Sequence, residues 1–181
     1  QAWRAQKILG DVYFAQGNET RAFEVYDAVA DLVPAQDEDH VVMLARLIEL
    51  SSTMGALAKL QRYAVAYISR KPGEVDVIEQ VAMRLMSESA GSTDALAFLN
   101  ELHRTVPTLV DSVTFVVMVG KFLQGANQEQ EAIGWYARGA ELGEDSAAFW
   151  LNFAQLLMKF DEFDSAQDAF ARAQQLMSGS G

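Results

Sequence analysis

Apolar residues recur at three- and four-residue intervals along nearly the whole chain, the period of helices with one buried face, and short clusters of Gly, Pro, Asn, Asp and Ser interrupt them. The interruptions are of two kinds. Pro34, Pro72 and Pro107 fall 38 and 35 residues apart, each just after an amphipathic stretch. Proline ends a helix there because it has no N–H and turns its predecessor away from the α region. About midway between lie Gly17-Asn18, Thr53-Met54-Gly55 and Ala90-Gly91-Ser92. These read as tight connections with a helix-stopping glycine and, at Asn18 and Ser92, a residue able to cap the next helix. The pattern predicts units of two helices and a turn. The most apolar run, Val113 to Leu123, contains Lys121 and is about half the length needed to cross a bilayer, so it is predicted as buried helix without membrane insertion.

The units repeat in register. Shifting Val116, Gly120, Leu123, Ala132, Tyr136 and Gly139 by 34 residues lands on Trp150, Ala154, Leu157, Ala166, Phe170 and Ala173. Shifting the same set back by 110 lands on Gly10, Tyr13, Ala22, Tyr26 and Val29, with Gln6 the one mismatch. Five units of about 36 residues are expected, at 1–36, 37–73, 74–109, 110–144 and 145–177, in a single domain 1–177 followed by a flexible tail, 178–181. Two helices joined by a short turn approach closely only if the residues at their crossing are small, the role expected of Gly10 with Ala22, Gly120 with Ala132 and Ala154 with Ala166. Tyr13, Tyr26, Trp150, Phe163 and Phe170 are then expected to fill the space between one hairpin and the next. Met83, Met86 and Met118 fall at helical spacing and read as core filler, with Met158 placed on an exposed inner face.

On these residues the chain resembles the tetratricopeptide repeat family. The first unit carries Leu9-Gly10, Tyr13, Gly17, Ala22, Tyr26 and Pro34, and the last carries Trp150, Asn152, Ala154, Phe163, Ala166, Phe170 and Ala173. The fourth matches with an enlarged turn, Gly125-Ala126-Asn127-Gln128. The second and third are degenerate: Ala56 or Ala58 has no glycine partner, and Met83 occupies the usual small position. The resemblance implies an all-α fold, a right-handed α-solenoid of antiparallel helix pairs, with no catalysis and no cofactor. It also implies a concave groove, lined by the first helix of each unit, that binds a peptide or protein segment. By register the groove residues are Arg4, Lys7, Asp11 and Phe14; Val41, Ala45 and Ile48; Gln80, Arg84 and Ser87; Val117, Lys121 and Gln124; and Leu151, Gln155 and Met158. Two further roles are open on the same resemblance: an assembly platform in a bacterial envelope machine for exopolysaccharide export or pilus assembly, and the regulatory arm of a larger enzyme. Self-association is expected through solenoid ends that expose apolar surface around Trp3 and Phe170.

Composition narrows the chemistry. The 181 residues include only 12 Gly and 3 Pro, as a mainly helical chain requires, and carry a net charge of −11 that argues against nucleic acid as a partner. The absence of cysteine removes disulfides, thiol nucleophiles and thiolate metal sites, and is compatible with the cytoplasm and a bacterial periplasm alike. His40 and His103 stand 63 residues apart with no acidic cluster at ligand spacing, and read as surface or turn residues. No phosphate loop, nucleophile elbow or zinc-protease motif is present. The acidic runs Asp37-Glu38-Asp39 and Asp161-Glu162-Asp164 read as helix caps. Arg4, Lys7, Arg84, Lys121 and Lys159 are expected to make the groove more positive than the total charge, suiting an acidic or C-terminal peptide. Asp11, four residues after Lys7, argues against the carboxylate clamp of the tetratricopeptide co-chaperones. Gln1 already lies in a helical pattern and the chain closes on Ser-Gly-Ser-Gly, which together predict a piece of a longer or processed protein.

Overall fold

The computed structural model describes residues 2–88 and 92–179. Among them are ten α-helices and no strand: α1 Ala2–Ala15, α2 Glu19–Val29, α3 Glu38–Thr53, α4 Leu57–Arg70, α5 Val75–Glu88, α6 Thr93–Thr105, α7 Val113–Gly125, α8 Glu129–Glu141, α9 Ala147–Lys159 and α10 Phe163–Ser178. Short 3₁₀ turns follow α2 at Ala30–Leu32 and α6 at Pro107–Asp111. Each odd-numbered helix packs against the helix that follows it, and each pair packs on the next, so the chain is an all-α solenoid of tetratricopeptide-like hairpins. Pro107, expected to close a unit, opens the second 3₁₀ turn just after α6, where its missing N–H is not needed.

Four of the hairpin turns are built alike. Three residues separate α1 from α2, α3 from α4, α7 from α8 and α9 from α10. The middle residue of each adopts positive φ: Gly17 at 71°, Gly55 at 68°, Asn127 at 60° and Asp161 at 62°. In each the N–H of the third residue donates to a carbonyl five residues back, Asn18 to Tyr13, Ala56 to Ser51, Gln128 to Leu123 and Glu162 to Leu157, at 2.9–3.0 Å. The turn around Asn127 is therefore no longer than the others; Gly125 ends α7 and Asn127 takes the left-handed position. Asp161 likewise turns the chain instead of capping α10, whereas Asp37 caps α3 by accepting from the Asp39 N–H at 3.0 Å. Of the two residues expected to cap a helix, Asn18 accepts from Arg21 N and Ser92 makes no side-chain cap bond; Ala90 and Gly91 lie outside the described residues. Ser112 and Ser146 cap α7 and α9.

Counting from these turns exposes the packing rule. Seven residues before the turn stand Gly10 and Gly120, and nine after it stand Tyr26 and Tyr136. A Cβ at Gly10 would lie 2.6 Å from the Tyr26 ring, and one at Gly120 would lie 2.5 Å from the Tyr136 ring. The first-helix glycine thus seats the ring of the second-helix tyrosine more closely than it seats Ala22 or Ala132. Tyr136 then reaches the next hairpin edge-on at Phe149 and Phe153, with centroids 5.6 and 6.1 Å away. Its hydroxyl donates to Gln124, whose amide pairs with Asn152 of α9. Tyr26 does the same in ionic form: its hydroxyl donates to Asp11 at 2.7 Å and accepts from Arg46 of α3 at 2.7 Å. Arg46 and Asn152 both lie nine residues before their own hairpin turn, so one position serves both junctions.

Hairpins two and three solve the crossing differently. In hairpin two the equivalent positions are Ile48 and Ala64, so the large and small residues have changed helices. In hairpin three the buried small residue is Ala82; Met83 points outward, 54% exposed, and Met86 is also exposed, so neither fills the core. Met118 is buried as expected. At the two ends Trp3 is buried, while Phe163 and Phe170 stay exposed because no hairpin follows them among the described residues. Ser178, expected in a flexible tail, ends α10, and Gly179 follows as its C-terminal cap.

Gly120→Ala should destabilise the chain by about 1–3 kcal/mol, because the Tyr136 ring must leave its seat. Gly134→Ala, where the added Cβ meets nothing, should stabilise it by about 0.5–1 kcal/mol. Urea unfolding of the two variants checks the contrast.

Candidate functional site

The expected groove residues divide into three groups. In the first, Lys7, Asp11 and Phe14 are drawn into the junction of hairpins one and two. Lys7 pairs with Asp11 and Asp39 at 3.0 Å each, and Asp11 also pairs with Arg46, whose guanidinium lies 5.1 Å from the Phe14 ring centre. Arg4 reaches Asp37 at 3.6 Å. Partial burial opposes ionisation of Asp11, but the Tyr26 hydroxyl, Lys7 and Arg46 together hold its carboxyl below the usual carboxylate range. Burial and the same carboxylate push Tyr26 up to about 12. On the other side of this junction Asp27 accepts from Lys59 and Tyr63, and Asp31 pairs with Arg62. These side chains hold two hairpins together, and their charges are spent doing so.

The second group forms a cleft. Ala45, Ile48 and Gln80 meet across a cavity of about 360 Å³ between α3 and α5, with Glu49, Ser52, Thr53, Leu60, Tyr67, Val77 and Val81 completing the wall. Its position follows from the change of helices in hairpin two. Tyr26 and Tyr136 each send a ring from the second helix toward the next hairpin, but Ala64 sends none, and the space stays open above Leu60 and Tyr67. The Tyr67 hydroxyl is satisfied by Glu74 at 2.9 Å. Arg84 ties α5 to the last turn of α3 by donating to the Ser52 carbonyl at 3.2 and 3.0 Å, and it also pairs with Glu88. Val41, one turn earlier on α3, is half-buried and Ser87 is exposed; neither lines the cavity.

The third group scatters. Val117 is 7% exposed and packs against Gly139, so it belongs to the crossing of α7 and α8 and not to a groove. Gln124 is taken up by Tyr136 and Asn152. Lys121, Gln155 and Met158 are exposed and Leu151 is half-buried. Of the five cations expected to make the groove positive, Arg4, Lys7, Arg84 and Lys159 are ion-paired, the last with Glu129; Lys121 makes no ion pair among the described residues.

Residues missed by the sequence reading lie one turn beyond the positions it named. Ser52 continues the series Val41, Ala45, Ile48, and Val77 precedes Gln80 and Arg84 at the same spacing. Arg46 could have been found by its shared register with Asn152. The histidines are half-buried: His40 lies in the first turn of α3, and His103 stands edge-on to Trp135 at 5.3 Å. Among the described residues no group of three His, Cys, Asp or Glu could hold a metal ion, and no helix is long and apolar enough to cross a membrane.

No protein-family model and no curated relative matches the chain. Solved structures do. MamA of strain AMB-1 is similar with a TM-score of 0.55 at 15% identity, over 99% of this chain and 94% of that one. A second MamA crystal structure gives 0.53 at 13%, over 94% and 95%. MamA from residue 41 to the end, from Desulfovibrio magneticus RS-1, gives 0.50 at 11%, over 98% and 96%. At these identities the likeness is one of fold.

Asp11, with its carboxyl pKa lowered by folding, contributes stability that is present above the unfolded value of 3.8 and is lost as pH falls through the folded one. Asp11→Asn should therefore unfold more easily at neutral pH and show a flatter loss of stability below about pH 4 than the parent chain. Thermal melts across the acid range check both signs.

Proposed function

We infer that the protein is a non-catalytic interaction module that binds a peptide or protein segment along the face lined by its first helices. The observation that carries the reading is the cleft between α3 and α5, which gathers Ala45, Ile48 and Gln80 over an apolar floor. At about 360 Å³ it sits at the small end of the volumes typical of ligand sites, the scale of a side chain docking from an extended segment. The paired state of Lys7 and Arg84 supports a segment held by apolar contact more than by anion capture.

A photo-crosslinking residue at Ala45 or at Gln80 should capture the same polypeptide in the native cell, and Ile48→Asp should abolish that capture. The same residue at Ala28 or Asn100, exposed on second helices, should capture nothing in common. Equal capture at all four positions would sink the groove reading.

A second reading is favoured by surface composition. Ile8, Leu9 and Val12 form an exposed apolar stripe on α1, and Phe163, Phe170 and Met177 form one on α10. These stripes support self-association through the ends of the solenoid. Sedimentation should then show concentration-dependent assembly that Leu9→Lys with Phe170→Lys removes without loss of helix content.

A further inference from the structure

The cleft has a sign as well as a shape. Its only charged wall residue among the described residues is Glu49, which is exposed and makes no ion pair there. Arg84, four residues after Gln80 on α5, is occupied by the Ser52 carbonyl and Glu88. Apolar side chains of Ala45, Ile48, Leu60, Val77 and Val81 make five of the nine remaining wall residues, and the Tyr67 hydroxyl is already bonded to Glu74. An anionic segment entering here would meet an unpaired carboxylate and no cation in the cleft wall. A cationic one would gain Glu49 and be steered inward by a net charge of −11.

We propose that the α3–α5 cleft receives a large apolar side chain of a partner segment that carries a Lys or Arg beside it, the cation pairing with Glu49. This rests on the groove reading and specifies its partner chemistry, reversing the acidic or C-terminal peptide expected from the cation count. The apolar side chain covers Ile48 and Val77, which are half-buried and lose water on contact. The neighbouring cation stays at the rim, where an ion pair is partly solvated and selects between sequences more than it adds affinity. A small apolar molecule could use the same floor, but it would be indifferent to Glu49.

The test uses two short peptides blocked at both ends, one with a Leu-Lys pair between Gly and Ser spacers and its Leu-Glu twin, titrated into the methyl-labelled chain at low salt. The Leu-Lys peptide should shift the Ile48, Leu60 and Val81 methyl signals saturably and bind about fivefold more tightly than its twin. Glu49→Lys, a change at an exposed position, should reverse that order. Equal shifts by both peptides, unchanged in Glu49→Lys, would overturn the charge selection while leaving the groove reading intact. No shift at these methyls from either peptide at millimolar concentration would overturn the proposal outright, and crosslinking at Ala45 and Gln80 would then decide the groove reading separately.

Discussion

The ring of a second-helix tyrosine lying across a first-helix glycine is the contact on which this solenoid turns. It sets the separation of the two helices, because the glycine alone lets the ring in. It also joins one hairpin to the next, since the far edge of the ring and its hydroxyl reach beyond their own hairpin. Desolvating a phenol is tolerable only with a partner for its hydroxyl. Asp11 with Arg46 supplies it at one junction, and Gln124 with Asn152 at the other. Geometry is conserved between the two junctions while the chemistry differs, ionic in one and amide in the other.

Where that contact is absent, the surface acquires its character. Ala64 in place of a tyrosine leaves the junction of hairpins two and three without a bridging ring, and Arg84 takes over part of the connection by holding the Ser52 carbonyl. A backbone carbonyl in the last turn of a helix is a natural site for a guanidinium, because the unsatisfied carbonyls there carry partial negative charge. The cleft is the volume this replacement does not fill. Structure and proposed binding therefore come from one local departure.

The sequence showed the hairpins clearly and the site only in part, for physical reasons. Helical period, proline stops and the shared spacing of Gly10 with Gly120 are local or strictly repeated, so they survive without coordinates. The turn at Asn127 looked enlarged because Gly125 breaks the helical pattern in sequence, yet in the fold it is the last residue of α7 and Asn127 takes the positive φ. At hairpin three the adjacent pair Ala82-Met83 offers two readings of the small position, and only burial separates them: Ala82 is enclosed and Met83 points outward. The sign of the groove was illegible because it depends on pairing. Arg4, Lys7, Arg84 and Lys159 count as cations in a sequence, but each has an acidic partner in the fold. Except for the helical neighbours Asp11 of Lys7 and Glu88 of Arg84, those partners lie on other helices or loops.

The exchange of large and small residues between Ile48 and Ala64 constrains how such an array can change over generations. The glycine–tyrosine arrangement and the isoleucine–alanine arrangement each set one large residue against one small one, yet no single substitution leads from one to the other without harm. Placing tyrosine at 64 first would crowd the branched side chain at 48, and placing glycine at 48 first would leave a hollow beside the alanine. The two positions are therefore inherited as a pair, and the open junction, once formed, is protected against closing by the cost of either halfway step.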